Sequence, residues 1–185
     1  MTRRDIPNLI TFFRFVLIIP VAVALLADRM DIALILFAVA GFSDGIDGFL
    51  ARQFGWRSKL GAIMDPLADK ALMVTTIIIM GFLGLIPWWL VVLMVLRDVI
   101  ILVGAVSYFR LNGKIEMDPS VLSKLNTFLQ ISLVIALLWN AGFEPLSEWL
   151  LQGLILIVTA STVLSGADYV LRWSRKALHS VNDSD

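Results

Sequence analysis

Long apolar stretches, separated by short polar segments, dominate the chain. A helix needs about 20 apolar residues to cross the hydrocarbon core of a bilayer, and six stretches meet this length. Turn-forming residues, chiefly Gly, Pro, Asn and Asp, lie between them. The pattern therefore predicts an all-α integral membrane protein with six transmembrane helices. The predicted spans are residues 8–27, 31–54, 65–86, 88–109, 121–139 and 147–171.

The distribution of Lys and Arg predicts how these spans are oriented. Apart from Arg29, the basic residues in the connecting segments and near the span ends fall on the side that holds the N-terminus. Because cytoplasmic loops carry an excess of Lys and Arg, we expect both termini in the cytoplasm and the protein in a bacterial-type inner or cell membrane. One domain should cover residues 1–173, followed by a loose, polar cytoplasmic tail at 174–185.

Composition supports the membrane assignment and excludes several kinds of chemistry. Hydrophobic residues occupy 59% of the 185 positions, compared with roughly 45–50% in soluble domains. The absence of cysteine excludes thiol catalysis, disulfides and cysteine-ligated metal centres. The single histidine, His179, lies in the predicted tail. The net charge is zero, and we expect no nucleic-acid partner.

Four aspartates interrupt the apolar pattern near the predicted cytoplasmic ends of the second and third spans. Asp44 and Asp47 are three residues apart and Asp65 and Asp69 are four apart, so each pair shares a helix face. Four unneutralised carboxylates would cost roughly 10–14 kcal/mol, at about 2.5–3.5 kcal/mol each. Two divalent cations would balance these charges, and such ions prefer oxygen ligands. The spacing therefore predicts a cytoplasm-facing polar cavity that binds cations.

The aspartates belong to a longer motif, which covers residues 44–69 and reads DGIDGFLARQFGWRSKLGAIMDPLAD. Its spacing and its eight fixed residues resemble the signature of the CDP-alcohol phosphatidyltransferase family, and the likeness extends over the whole chain. The eight residues are Asp44, Asp47, Gly48, Ala51, Arg52, Gly61, Asp65 and Asp69.

This resemblance implies a membrane enzyme that transfers the phosphatidyl group of CDP-diacylglycerol to an alcohol and releases CMP. It implies two divalent ions, Mg²⁺ or Mn²⁺, and suggests a homodimer. Asp69 would share the metal site and also act as the general base. The implied metal ligands are Asp44, Asp47, Asp65 and Asp69, and the implied CDP-binding residues are Asp44, Gly48, Ala51, Arg52 and Gly61. General chemistry agrees with these roles, because two metal ions can clamp a pyrophosphate and a carboxylate can take a proton from an alcohol. Direct displacement is favoured over a covalent intermediate, although an aspartate nucleophile stays open.

Two segments outside the motif bear on the acceptor alcohol. They are Arg97-Asp98 and Lys124-Leu125-Asn126-Thr127, with Gln130 following. Both resemble the family members that transfer to phosphatidylglycerol and make cardiolipin, whereas members that use glycerol 3-phosphate resemble Arg-Glu and Lys-x-Lys-Thr. Asn126 in place of a lysine removes a positive charge, which weakens binding of a dianionic phosphate more than that of a phosphodiester. We expect phosphatidylglycerol as the acceptor, with glycerol 3-phosphate as the alternative.

The candidate acceptor-binding residues each have a second interpretation. Arg14 lies only about 9 Å along the helix from Asn8, so it could extend to the membrane surface instead. Arg97 could pair with a buried acid, and Lys70 could act on the adjacent Asp69. The full candidate set is Arg14, Lys70, Arg97, Lys124 and Asn126.

Two other classes of protein stay open on the residues alone. Acidic residues inside a membrane often mark ion pathways, so an ion transporter is one alternative. A structural membrane protein is the other, with the aspartates paired to Arg52, Arg57 or Lys59. The cations Arg52, Arg97 and Lys124 suit phosphate groups and favour the enzyme.

Overall fold

The computed structural model describes residues 6–54, 61–112 and 120–182, with side chains described at residues 12–43, 64, 67–104 and 120–171. These residues form six α-helices, which confirms the predicted all-α architecture. The helices are α1 (Ile6–Leu26), α2 (Met30–Phe54), α3 (Gly61–Phe82), α4 (Trp88–Asn112), α5 (Val121–Gly142) and α6 (Glu148–Asn182). Each contains most or all of one predicted span. α6 continues to Asn182, so residues 174–182 are helical. The role of this segment as a cytoplasmic tail stays a prediction.

Two helices end in the same hydrogen-bonded motif, in which the residue after the helix is left-handed. At the end of α1, Asp28 has φ 58°, and the amide of Arg29 donates to the carbonyl of Ala24. At the end of α3, Gly84 has φ 74°, and the amide of Leu85 donates to the carbonyl of Met80. This Schellman arrangement satisfies carbonyls that the helix itself leaves unpaired. It accounts for the sharp reversals that the turn residues predict.

The described residues divide into two compact units. The first unit consists of Met1–Ile86 and Ile135–Leu146. Within it, α1 packs against both α2 and α3, and Val21, Leu25 and Ala33 of α1 and α2 are buried. The first unit therefore brings the two helices of the aspartate motif onto a shared partner helix.

The second unit consists of Pro87–Val134 and Ser147–Asp185. Within it, α4 packs against α6. The hydroxyl of Ser120 accepts a hydrogen bond from the amide of Ser123 and so caps the N-terminus of α5. Apolar side chains such as Leu90, Met94 and Val158 are buried in this unit. The unit also contains a set of buried polar side chains, which are described below.

The distribution of polar and apolar side chains is inverted relative to that of a soluble protein. Ile19, Phe42 and Phe82 are 67%, 75% and 72% exposed, whereas Arg14 and Arg97 are 0% and 4% exposed. Extended apolar surface is unusual on a soluble monomer, and ionisable residues of membrane helices typically face the interior. Among the described residues, two helical segments are long and apolar enough to cross a membrane, Val121–Gly142 and Glu148–Leu171. The number of spans and the cytoplasm-facing cavity stay predictions.

Candidate functional site

The four aspartates of the motif lie on two helices of the first unit. Asp44 and Asp47 belong to α2, and Asp65 and Asp69 belong to α3. The predicted placement of each pair within one helix is therefore confirmed. The side chains of Asp44, Asp47 and Asp65 lie outside the described residues, so the predicted two-ion arrangement is not tested. The same holds for four predicted CDP contacts, namely Gly48, Ala51, Arg52 and Gly61.

Asp69 is the one predicted metal ligand whose side chain is described, and it pairs with Arg14 of α1. The Nη1 atom of Arg14 donates a hydrogen bond to Oδ1 of Asp69 at 3.0 Å. The Arg14 side chain is fully buried, whereas that of Asp69 is 53% exposed. A buried cation thus fixes one oxygen of a carboxylate that solvent can still reach. The Arg14 guanidinium is thus directed to α3 and shielded from the protein surface.

The Arg14–Asp69 pair contrasts with an exposed pair in the α1–α2 connection. There Arg29 donates to both carboxylate oxygens of Asp31, at 3.2 and 3.3 Å. The hydrogen bond to Asp31 and the charge of that carboxylate raise the pKa of Arg29. Both side chains face solvent, and exposed pairs of this kind contribute little to stability. Asp31 is therefore a suitable control for substitutions at Asp69.

Arg97 is the centre of a hydrogen-bond network in the second unit. Its Nη2 donates to Ser123 at 2.6 Å and to Ser165 at 2.7 Å, and its Nε donates to Ser165 at 3.2 Å. Its Nη1 donates to Asp98 at 2.7 Å. A guanidinium has five N–H groups, so these four bonds leave one, on Nη1. The network ties α4 to both α5 and α6, and it includes a pairing of Arg97 with the part-buried carboxylate of Asp98.

Asn126 is the centre of a second buried network between α5 and α6. Its Oδ1 accepts hydrogen bonds from the hydroxyls of Ser161 at 2.8 Å and Thr162 at 2.9 Å. The side chain is fully buried, and so is that of Gln130, one turn further along α5. The Nδ2 of Asn126 and the Nε2 of Gln130 have no hydrogen-bond partner. A buried donor in this state costs about 1–3 kcal/mol.

The two remaining acceptor candidates, Lys70 of α3 and Lys124 of α5, are exposed. Sequence reasoning therefore named five acceptor candidates whose surroundings differ sharply. It did not find the hydroxyl partners of Arg97 and Asn126. Their signal in the sequence is weak, because a serine or threonine in an apolar helix can also bond to its own helix backbone. The missed partners are Ser123, Ser161, Thr162 and Ser165.

The donor set of the aspartate motif suits a hard divalent cation. Four carboxylates offer only oxygen ligands, which Mg²⁺ and Mn²⁺ prefer over nitrogen or sulfur. Within the described part of the chain, no group of three His, Asp or Glu side chains could hold a metal ion. Of the four predicted ligands, only Asp69 has a described side chain, and its carboxylate is half-exposed.

Helices with exposed apolar side chains and buried polar networks define an all-α class of protein, and this pattern is typical of membrane-embedded helices. Within that class the chain belongs to the CDP-alcohol phosphatidyltransferase family, which matches residues 4–165. The match includes the whole aspartate motif and both buried networks. The predicted family is therefore confirmed.

The relatives that the chain matches carry two kinds of names. The chain is 34% identical over 196 residues to the cardiolipin synthase (CMP-forming)/mitochondrial hydrolase fusion protein of Schizosaccharomyces pombe. This match covers 97% of this chain and 32% of that protein. It is 31% identical over 195 residues to the cardiolipin synthase (CMP-forming) of Homo sapiens, covering 96% of this chain and 64% of that protein. It is 33% identical over 178 residues to a probable phosphatidylglycerophosphate synthase of Mycobacterium tuberculosis, and the match covers 91% of this chain and 81% of that protein. The chain thus spans between about one third and two thirds of the length of the two cardiolipin synthases.

Proposed function

We propose that the protein is an integral membrane phosphatidyltransferase that transfers the phosphatidyl group of CDP-diacylglycerol to phosphatidylglycerol, forming cardiolipin and CMP. Family membership supports the reaction type. The observation that carries the proposal is the half-exposed carboxylate of Asp69, the last residue of the family motif, held by the buried Arg14. A general base needs access to the substrate and a fixed orientation, and this carboxylate has both.

The proposed step is a direct displacement at phosphorus. Asp69 takes the proton of the acceptor hydroxyl, and the hydroxyl oxygen forms a bond to the phosphorus of the phosphatidyl group. The bond between this phosphorus and the bridging oxygen breaks, and CMP leaves with the electron pair. Arg14 keeps the Asp69 carboxylate in place during the transfer, because a fixed base avoids part of the orientation cost.

Two divalent ions, Mg²⁺ or Mn²⁺, are part of the proposal. When bound, they would neutralise the pyrophosphate and stabilise charge on the leaving group. Their ligands would be Asp44, Asp47, Asp65 and Asp69. The family as a whole generally uses a divalent metal, and the oxygen-only donor set agrees with this.

The CDP group would be bound by the remaining residues of the motif. Glycine at 48 and 61 and alanine at 51 leave room for a close approach of the nucleotide to the helix backbone. Arg52 can donate two parallel hydrogen bonds to a phosphate. The proposed CDP contacts are Asp44, Gly48, Ala51, Arg52 and Gly61.

The acceptor would be bound by cations of two kinds and by a neutral amide. Lys70 and Lys124 are exposed and suited to direct contact with a phosphodiester, whereas Arg14 and Arg97 are buried and supply positive charge from fixed positions. Asn126 is neutral and held by two hydroxyls. A neutral side chain at position 126, in place of a cation, favours the singly charged phosphodiester of phosphatidylglycerol.

The proposal includes an orientation of the protein in the membrane. Six spans with both termini in the cytoplasm would put the ends of α2 and α3 that bear the aspartates at the inner leaflet. The polar cavity would then open to the compartment that holds CDP-linked lipid headgroups. A homodimer is the proposed assembly, on the basis of family likeness.

A second candidate function is transfer to glycerol 3-phosphate, which would form phosphatidylglycerophosphate. The mycobacterial relative with that name supports it, because the match covers 81% of that protein. The two functions share the donor, the base and CMP release, and they differ only in the acceptor.

The test is turnover by the purified protein in detergent with CDP-diacylglycerol and Mg²⁺ or Mn²⁺. Each acceptor is supplied alone, CMP is measured, and the lipid product is identified by mass. Cardiolipin from phosphatidylglycerol supports the proposal. Phosphatidylglycerophosphate without cardiolipin supports the second candidate instead. Cation flux in vesicles without any CMP release would refute both and support an ion transporter.

A further inference from the structure

We infer that the last part of α6, residues 172–182, is a surface-binding helix that recognises the phosphate groups of anionic lipids at the inner leaflet. The proposed reaction assigns no role to this segment, which follows the family match at residues 4–165. The inference rests on the proposed placement of α6 across the membrane. It does not depend on the reaction or on the acceptor.

The length of α6 exceeds what crossing a bilayer requires. The helix has 35 residues, from Glu148 to Asn182, and at 1.5 Å per residue it is about 52 Å long. Its apolar part, Glu148–Leu171, has 24 residues and is about 36 Å long. This part alone is longer than the hydrocarbon core, which is about 30 Å thick. Residues 172–182 are therefore not needed for the crossing, and their sequence indicates which surroundings suit them.

Basic residues in this segment share one face of the helix. They fall at the i, i+3, i+4 and i+7 positions, which lie side by side on a helix surface. These residues are Arg172, Arg175, Lys176 and His179. Asp168 lies four residues before the first of them and Asp183 four residues after the last, with no acidic residue between. Arg175 and Lys176, at the centre, therefore retain the most positive charge.

Apolar residues occupy the opposite face of the segment. They are Trp173, Ala177, Leu178 and Val181. In register, this face continues the outer apolar face of the preceding part of α6. Leu156, Val163 and Val170 of that outer face are exposed and seven residues apart, which is nearly two helical turns, and the next position in the series is residue 177. The apolar face of α6 thus extends without a break from the span into the segment.

A tilt of α6 places both faces at a suitable depth. The bilayer is about 40–45 Å thick with its headgroups, so the end of an upright helix of about 52 Å would bring its apolar face into water. A tilt of about 30–40°, within the range of membrane helices, fits the whole helix inside this thickness. A basic helix with Trp and Leu on its apolar face is typical of membrane surfaces, and its Lys and Arg residues attract anionic headgroups. A second copy of the chain would instead bring like charges to the basic face.

The test uses one fluorescent label near the end of α6. The chain has no cysteine, so Ser180→Cys, between the two faces in register, creates a unique site for a polarity-sensitive dye. The labelled full-length protein is placed in nanodiscs of phosphatidylcholine with or without phosphatidylserine, which is anionic and takes no part in the proposed reaction. Phosphatidylserine should raise the ratio of surface-bound to free segment by about 25-fold, because each of the two central cations contributes about 5-fold.

Substitution of the two central cations isolates the effect of charge. Arg175→Gln together with Lys176→Gln should abolish the response to phosphatidylserine. The matched control exchanges the two residues, Arg175→Lys with Lys176→Arg, and should keep the response because the charge is conserved. Without any substitution at these positions, raising the salt concentration from about 0.1 M to about 1 M should also abolish the response, because the Debye length falls from about 10 Å to about 3 Å.

Three results would overturn the inference. They are a label signal that phosphatidylserine does not change, a response that survives the loss of both cations, and a response that persists at high salt. A signal that follows the number of protein copies per disc, and not the lipid charge, would also overturn it and would indicate contact with a second copy. None of these measurements uses a substrate. Absence of CMP release would therefore refute the proposed function and leave this inference standing.

Discussion

Removal of the Ser165 hydroxyl should measurably destabilise the protein, because this hydroxyl accepts two hydrogen bonds from a buried cation. Arg97 donates to it from Nε and Nη2, at 3.2 and 2.7 Å, and is only 4% exposed. Ser165→Ala would leave these two N–H groups without an acceptor.

Two reference values bracket the expected effect. Hydrogen bonds to charged groups contribute about 1.5–3 kcal/mol, whereas hydrogen bonds between membrane helices average about 0.6 kcal/mol and reach about 1.7. Because the donor is charged and both bonds share one acceptor, we expect a loss of about 2–3 kcal/mol in the free energy of unfolding. Ser123→Ala removes one bond and should cost about 1–2 kcal/mol.

The assay is reversible unfolding in mixed micelles with increasing denaturing detergent, followed by helical circular dichroism. Ser132→Ala is the matched control, since that exposed hydroxyl bonds only to the carbonyl of Phe128 in its own helix. Its free energy of unfolding should lie within about 0.5 kcal/mol of the wild-type value. If Ser165→Ala also lies within that limit, Arg97 is not held as described, and the reasoning about the second unit is wrong.

Three further predictions concern other parts of the molecule. Gly142→Ala should lower the free energy of unfolding by about 1–3 kcal/mol, because a Cβ at this position would lie 2.6 Å from the amide nitrogen of Asp31. Gly153→Ala is the control and should be tolerated, because a Cβ there would have no atom within 4 Å. Equal effects of the two substitutions would contradict the close approach at Gly142. Asp28→Gly should keep or raise the thermal midpoint, since φ is 58° and glycine tolerates this conformation; Asp28→Val should lower it, and the reverse order would argue against the left-handed turn. Chelation of divalent ions should stop CMP release and readdition of Mg²⁺ or Mn²⁺ should restore it, whereas turnover that persists in excess chelator would remove the metal ions from the proposal.

The helices could be predicted from the sequence because hydropathy acts over whole segments. Each of the six predicted spans corresponds to one helix, and the turn residues around Asp28 and Gly84 lie where helices end. The helical state of residues 174–182 was not predicted, and it has a physical cause. That segment is polar, but it is rich in the strong helix formers Arg, Lys, Ala and Leu, so α6 continues through it.

The candidate site could be predicted only in part. A charge in an apolar stretch is visible in the sequence, and this is why Arg14 and Arg97 were candidates. Their partners depend on the rotation of each helix and on which helices pack together, and neither is encoded locally. Asp69 is 55 residues from Arg14, and Ser165 is 68 residues from Arg97. A serine at a buried position and one at a lipid-facing position look the same in a single sequence.

The central claim is that the aspartate motif performs phosphatidyl transfer with Asp69 as the base, and CMP release by two matched variants tests it most directly. Asp69→Asn removes the carboxylate that Arg14 holds, and Asp31→Asn removes the carboxylate that Arg29 holds. With CDP-diacylglycerol, phosphatidylglycerol and Mg²⁺, we expect Asp69→Asn to lose about 100-fold or more in kcat, the usual contribution of a general base, while remaining folded by circular dichroism. Asp31→Asn should keep wild-type turnover. Near-normal CMP release by folded Asp69→Asn would contradict the account.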